Sequence, residues 1–151
     1  TDPDKRAAIA AYYKKSFDAY LATQKDNYAG RIYDSASYLT DIFKDVPVHI
    51  LTCTEGRADT KGPMMQAGRY GSILPATWSL MLALRSRGIG AAWTTLHLAY
   101  EKEVADLLDI PEDITQGALL PVAYYLGDDF KPGKRIPAEQ RTYYDGWGAT
   151  R

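Results

Sequence analysis

The stretch GIGAAWTTLH, residues 88–97, contains the side chains best suited to hold a polar ligand. A glycine pair and small residues lead to Trp93, Thr94, Thr95 and His97. Hydroxyl groups and the backbone N–H groups beside them are hydrogen-bond donors, and such donors can stabilise negative charge on a bound ring. A plain buried strand has the same pattern. The stretch is therefore either a buried strand or one wall of a site for a flat ligand with polar edges.

A second group of chemically useful side chains lies near the C-terminus. Lys131, Lys134 and Arg135 stand beside prolines that hold this segment extended. Paired cations on such a segment can bind a phosphate through charge-assisted hydrogen bonds. The residues alone favour the other interpretation, which is a solvated basic surface.

Other kinds of site have little support in the sequence. Cys53 is the only cysteine, so an internal disulfide and a cysteine metal cluster are both excluded. His49 alternates with apolar residues, and His97 stands at a strand-to-helix junction. Packing or capping is more typical of such histidines than metal binding. GIGAA is not a dinucleotide-binding loop, because its glycines follow a helix rather than a strand.

Composition and charge restrict the class of protein. The 151 residues carry a net charge of −1 and are 46% hydrophobic, which is typical of one soluble globular domain and gives no support for nucleic-acid binding. No apolar run is long enough to span a bilayer. Twelve tyrosines indicate a ligand-lined cleft or a subunit interface. A single cysteine favours a reducing, cytoplasmic setting.

Hydrophobic periodicity and turn residues predict the elements that must position these side chains. The predicted helices cover 3–23, 35–44, 73–87 and 99–110, and the predicted strands cover 46–54, 91–95 and 117–127. Residues 55–71, rich in glycine, are expected to form a long surface loop. Helix 73–87 is expected to start at a Ser72 cap and to be buried, since apolar residues surround it.

From Ser72 to Pro137 the order of residues closely resembles the FMN-dependent nitroreductase family. The similarity lies in PATWSLMLALRSR, GIGAAWTTLHL, LLDIPE and LLPVAYYLGDDFKPGKRIP, which follow one another in the order expected of the family's C-terminal two-thirds. The resemblance implies one nitroreductase-like α+β domain over 1–151 with an FMN-binding fold. It further implies a central mixed sheet flanked by helices and a long, buried helix at a homodimer interface.

The resemblance also implies which residues bind the cofactor. The segment Trp93–Leu96 matches the strand whose backbone amides face flavin N5 and O4. Ser72 and Pro75 match the start of the helix that touches the partner subunit's flavin, and Lys134 and Arg135 match the pair that holds the FMN phosphate. The expected cofactor-binding residues are Ser72, Pro75, Trp93, Thr94, Thr95, Leu96, Lys134 and Arg135. No side chain is expected to act as a catalytic group, because the cofactor carries the redox chemistry.

Members of the resembled family pass a hydride from NADH or NADPH to FMN and then to a nitro compound, quinone or similar small-molecule acceptor, by ping-pong exchange. Two alternatives stay open. One is a non-catalytic flavin-fold module that dimerises or binds a nucleotide. The other is a family branch that uses flavin for another reaction, such as dehalogenation or ring cleavage.

One part of the family pattern is not found in the sequence. The arginine- and serine-rich phosphate motif of the family's N-terminal segment would stand ahead of Thr1. We expect that residues preceding Thr1 in the natural protein, or a separate chain, supply this segment.

Overall fold

The computed structural model describes residues 1–24, 30–59, 62–127 and 131–150. Its main elements, in chain order, are α1 (Pro3–Gln24), α2 (Arg31–Ile42), β1 (Val48–Glu55), α3 (Gly62–Arg85), β2 (Ile89–Ala91), α4 (Glu101–Leu108) and β3 (Ile114–Tyr124). Short 3-10 turns cover Phe43–Asp45, Leu96–Tyr100 and Ala138–Gln140. Helices packed around a small sheet make an α+β fold, as the sequence predicts.

The described strands form one sheet in the order β1-β3-β2, and both outer strands run antiparallel to β3. This corrects the expectation of a mixed sheet. Helix α3 carries the chain across the sheet from β1 to β2, so these two strands are parallel to each other but lie on opposite sides of β3. Within the described ranges no two parallel strands are neighbours.

Strand β3 is the centre of the structure and is buried on both faces. Leu119 packs with residues of α1 and α4, including Ile9 and Val104. Its neighbours Leu120 and Val122 belong to a second cluster, in which side chains of α3 take part. Because successive side chains of a strand point to opposite faces, β3 separates α3 from the other helices.

A local irregularity joins β1 to β3 near the middle of the sheet. The pairing register shifts between Leu51 and Cys53, and the hydroxyl of Thr52 there donates to the carbonyl of Ala118 and accepts from its N–H, both at 3.0 Å. Gly117 is needed beside this contact, since a Cβ at that position would lie 2.9 Å from Thr52 Oγ1. The hydroxyl replaces ladder hydrogen bonds that the irregularity removes.

Most predicted boundaries agree with the structure to within a few residues. The N-terminal helix is confirmed, and the Asp2 carboxylate caps it by accepting from the N–H groups of Asp4 and Lys5, both at 2.9 Å. Helix α2 begins four residues ahead of the predicted start at 35. The predicted strand 91–95 is wrong in extent, because β2 ends at Ala91, after which Ala92 donates to the carbonyl of Pro121 and Thr94 forms an isolated bridge to Leu119.

The Ser72 cap is wrong, and the predicted loop over 55–71 is wrong from residue 62 onward, while residues 56–59 lie outside helices and strands as predicted and residues 60 and 61 lie outside the described ranges. Helix α3 begins at Gly62, so Ser72 lies inside it. Pro63 is tolerated in the first helical turn, where its missing N–H would have no partner. Good helix formers such as Met64 and Met65 outweigh Gly68, which disfavours a helix by about 1 kcal/mol relative to alanine.

Burial of α3 is also incorrectly predicted for the single chain. Thr77 is its only buried residue among those that the structure describes. The side chains of Met64, Trp78 and Leu82 are 80%, 56% and 55% exposed. Apolar residues surround the helix, yet the sheet covers one side only, so its outer side is an apolar surface. No helix within the described ranges has the length and hydropathy of a membrane span.

Candidate functional site

The segment Trp93–Leu96 forms the floor of a cleft of about 380 Å³ between α1 and α2. Tyr13, Phe17 and Tyr20 of α1 make an aromatic wall. The volume lies within the roughly 300–1,000 Å³ typical of small-molecule sites. The structure thus places four of the expected cofactor-binding residues together at one cleft.

Thr94 is held by the sheet rather than directed at the cleft. Its backbone N–H donates to the carbonyl of Leu119 at 3.2 Å, and its hydroxyl donates to the same oxygen at 2.6 Å. Leu119 returns a hydrogen bond from its own N–H to the Thr94 carbonyl at 2.9 Å. Both donors of Thr94 are therefore used within the sheet, and its expected role toward a flavin remains a prediction.

The donors that remain belong to the next two residues. Thr95 precedes the 3-10 turn Leu96–Tyr100 and Leu96 begins it, so neither N–H has an acceptor within that turn. Across the described ranges, neither of these two N–H groups has a hydrogen-bond partner. Two adjacent unpaired N–H groups at a cleft floor can donate hydrogen bonds to a ligand that carries oxygen or nitrogen at its edge.

The other expected site residues lie elsewhere in the single chain. Ser72 and Pro75 are exposed on α3 and do not line the cleft. Lys134 and Arg135 are exposed in the C-terminal segment, where Arg135 donates to the carbonyl of Lys134 at 3.0 Å. Their roles toward a cofactor remain predictions.

A polar network anchors the turn and α4 behind the cleft floor. The guanidinium of Arg57 donates to both carboxylate oxygens of Glu101, at 3.0 and 2.9 Å, and also to the carbonyl of Ile114. Glu101 accepts from the backbone N–H of Gln116 at 3.2 Å. Burial raises the pKa of the Glu101 carboxyl, but the hydrogen bonds and charge of Arg57 together with the N–H of Gln116 outweigh burial, and the pKa is lowered. The network ties the first turn of α4 to β3.

His97 is fully buried between the cleft floor and this network. Neither ring nitrogen has a hydrogen-bond partner in the part of the chain that the structure describes. Burial lowers the pKa of His97 from 6.5 to about 4, although the nearby Glu101 carboxylate acts in the opposite direction. The imidazole is therefore neutral at pH 7 and fills space, in agreement with the packing role considered from the sequence. The described residues contain no group of three His, Cys, Asp or Glu side chains that could hold a metal.

Acid is expected to destabilise the fold through His97. The unfolded chain binds a proton at this position below about pH 6.5, whereas the folded chain does so only near pH 4. The free energy of unfolding is therefore unaffected by His97 above pH 6.5 and decreases as the pH falls toward 4. At pH 5 the decrease is about 2 kcal/mol. Urea unfolding followed by tryptophan fluorescence at pH 7.5 and pH 5 measures it.

The matched variant is His97→Met, which keeps the volume and removes two buried, unpaired nitrogens. We expect it to be at least as stable as the parent chain at pH 7.5 and to lose most of the acid sensitivity. An equal drop in stability for both proteins between the two pH values would contradict the assignment to His97.

The aromatic wall is the part of the site that sequence reasoning missed. Tyr13, Phe17 and Tyr20 recur at helical spacing, which by itself indicates only the apolar face of an amphipathic helix. This spacing predicts that the three side chains lie on one face of the helix, and all three do line the same cleft. The abundance of tyrosine also indicates an aromatic cleft, but composition does not show which tyrosines line it.

Comparison with known proteins identifies a family for most of the chain. The model of the nitroreductase family matches residues 1–124. No curated protein matches the sequence at a significant level.

Three solved structures with a similar fold can be compared with this chain. Oxidized iodotyrosine deiodinase, bound to FMN and 3-iodo-L-tyrosine, has a TM-score of 0.63 at 20% identity, over 94% of this chain and 73% of that one. A BluB-like flavoprotein from Clostridium difficile 630 has a TM-score of 0.60 at 16% identity, over 96% and 76%. A nitroreductase-like family protein from Bacillus cereus has a TM-score of 0.60 at 15% identity, over 93% and 68%. These likenesses concern the fold alone, whereas the match to the family model covers most of the sequence, and on that match the chain belongs to the nitroreductase family.

Proposed function

We propose that the protein is an FMN-dependent oxidoreductase that takes a hydride from NADH or NADPH and reduces a nitro compound, a quinone or a similar acceptor. The observation that carries the proposal is the pair of unpaired N–H groups at Thr95 and Leu96, at the floor of an aromatic-walled cleft. Membership of the nitroreductase family supports FMN as the group that the cleft takes.

The residues present fit a flavin ring in their chemistry. Tyr13, Phe17 and Tyr20 offer flat apolar surface, and the two free N–H groups match a ring edge that carries oxygen and nitrogen acceptors. When bound, FMN would accept a hydride from the nicotinamide and deliver it to the acceptor. Lys134 and Arg135 are the proposed ligands of its phosphate, and Ser72 and Pro75 the proposed contacts to the flavin of a partner subunit.

The role of the protein is then to orient and to stabilise charge. The N–H groups of Thr95 and Leu96 would donate to the ring edge and favour the negative charge that reduction places there. Thr94 contributes indirectly, because its two bonds to Leu119 hold the segment in place. Trp93 borders the cleft and helps to exclude water from the ring.

We also propose that the chain, acting as one nitroreductase-like domain, forms a homodimer through the outer side of α3. The exposed Trp78 and Leu82 support this, since apolar area of this kind on a helix usually marks an interface. Light scattering on the purified protein tests it, and a monomeric mass at micromolar concentration would contradict it.

One visible spectrum followed by a reductant titration tests the cofactor and the activity together. We expect the protein incubated with FMN and passed through a desalting column to retain flavin absorbance, to lose it when NADH or NADPH is added without oxygen, and to regain it with a nitroaromatic or a quinone.

Each failure of this experiment has a distinct meaning. A colourless protein after desalting would favour the non-catalytic module. Flavin that stays bound but is not bleached by either nucleotide would favour a branch with another reaction. The likeness in fold to a deiodinase makes dehalogenation the first to examine, and iodide release from an iodinated phenol under dithionite measures it.

A further inference from the structure

A second cleft, of about 410 Å³, adjoins the first at the same amides. It lies between α1 and the turn Leu96–Tyr100, and it shares Tyr20, Thr95 and Leu96 with the aromatic-walled cleft. A ligand seated in it would therefore border the segment that is proposed to meet the flavin edge. This second cleft is where a reaction partner of the cofactor has room to approach.

Among the described residues that line the second cleft, Lys15 alone carries a charge. Its ammonium lies 5.8 Å from the ring centroid of Tyr12 and 6.0 Å from that of Tyr100. The two rings stack at 5.2 Å and thus hold the ammonium through cation–π attraction at the cleft. The lining contains no carboxylate.

The neighbouring lysine shows the contrast. Lys14 is paired with Asp18 at 3.0 Å, whereas Lys15 has no carboxylate oxygen within 4.0 Å among the residues that the structure describes. An ammonium that is positioned by two rings but not neutralised keeps its donors for a ligand. Such a charge favours a negatively charged group and disfavours a cationic one.

We infer that Lys15 is a specificity-determining residue that selects planar ligands bearing an anionic group. This rests on the proposed function, since the amides shared by the two clefts are those assigned to the flavin edge. The anionic group would belong either to an aromatic carboxylate that serves as acceptor or to the phosphates of the nicotinamide nucleotide. Both sources present the same chemistry to Lys15.

Calorimetric binding tests this without requiring turnover. The protein as purified is titrated with 4-nitrobenzoate, with the neutral 4-nitrobenzamide, and with NADP⁺, which carries phosphates. We expect Lys15→Gln to weaken the binding of one of the two anions about two- to fivefold, as is usual for one partly exposed charge, and to leave 4-nitrobenzamide unchanged. The preference should also shrink in 1 M salt.

Lys14→Gln is the matched control, because it removes an adjacent positive charge of similar exposure that is already paired. Weaker binding of 4-nitrobenzoate in Lys15→Gln alone would assign the site to the acceptor, and weaker binding of NADP⁺ alone would assign it to the nucleotide. Equal effects of the two variants, or equal weakening of 4-nitrobenzamide, would overturn the inference. Absence of flavin from the preparation would count against the proposed function, but the ligand affinities of Lys15→Gln and Lys14→Gln could still be compared.

Discussion

The double variant Lys134→Ala, Arg135→Ala is expected to bind FMN about 10- to 100-fold more weakly than the parent chain. Each cation would make at least one charge-assisted hydrogen bond to the phosphate, and such bonds contribute about 1.5–3 kcal/mol each when well formed. Exposure of both side chains reduces each contribution, so a loss of about 1.4–2.8 kcal/mol is expected for the pair, which is the 10- to 100-fold change given above. Within the described ranges neither residue has a carboxylate partner that would compete for it. Fluorescence quenching of FMN on titration with protein measures the dissociation constant.

Riboflavin is the control ligand for this variant, because it has the same ring without the phosphate. Its affinity should be equal in the variant and the parent. Arg141→Ala is the control substitution, since Arg141 is another exposed cation of the same segment. Equal FMN affinity in parent and double variant would show that the pair belongs to a solvated surface.

Replacing Glu101 by glutamine is expected to destabilise the fold by about 2–3 kcal/mol. The change removes the charge that pairs with two nitrogens of Arg57, whose side chain is 28% exposed, and leaves the mostly buried guanidinium with only Asp59, a 60% exposed carboxylate, as counter-ion. Hydrogen bonds to charged groups contribute about 1.5–3 kcal/mol. Because Glu101 also accepts from the N–H of Gln116, the variant should loosen the start of α4. Urea unfolding at pH 7 gives the free energy.

Asp106→Asn is the matched control on the same helix. Its ion pair with Lys102 has the same 2.9 Å separation as that of Glu101 with Arg57, but the two side chains are 66% and 80% exposed. Exposed pairs of this kind contribute at most about 0.5 kcal/mol. If both substitutions destabilise the protein equally, burial is not what makes the Glu101 pair important.

Much of the fold follows from local sequence pattern. The Asp2–Pro3 start and apolar spacing identify α1, and runs of β-branched residues identify β1 and β3. Capping, periodicity and propensity act over a few residues and are therefore visible in a single sequence.

The start of α3 is not predictable in this way. Glycines at 62, 68 and 71 and the proline at 63 indicate a loop, yet the helix runs through them. Packing of its later turns against the sheet, where Leu80, Met81 and Leu84 meet β3, stabilises the helix as a whole and offsets the poor helix propensity of its first turns. Contacts distant in sequence thus override a local preference.

For the candidate site, the order of residues identifies the nitroreductase pattern around Trp93–Leu96, and the composition shows that twelve tyrosines are available to line a cleft. Which backbone donors remain free depends on contacts made in the folded chain. The Thr94 amide is taken by Leu119, a residue of a strand that comes 25 positions later, while the amides of Thr95 and Leu96 are left unpaired by the turn that follows. Hydrogen-bond partners are chosen by position in space, and no local pattern of residue types records that choice.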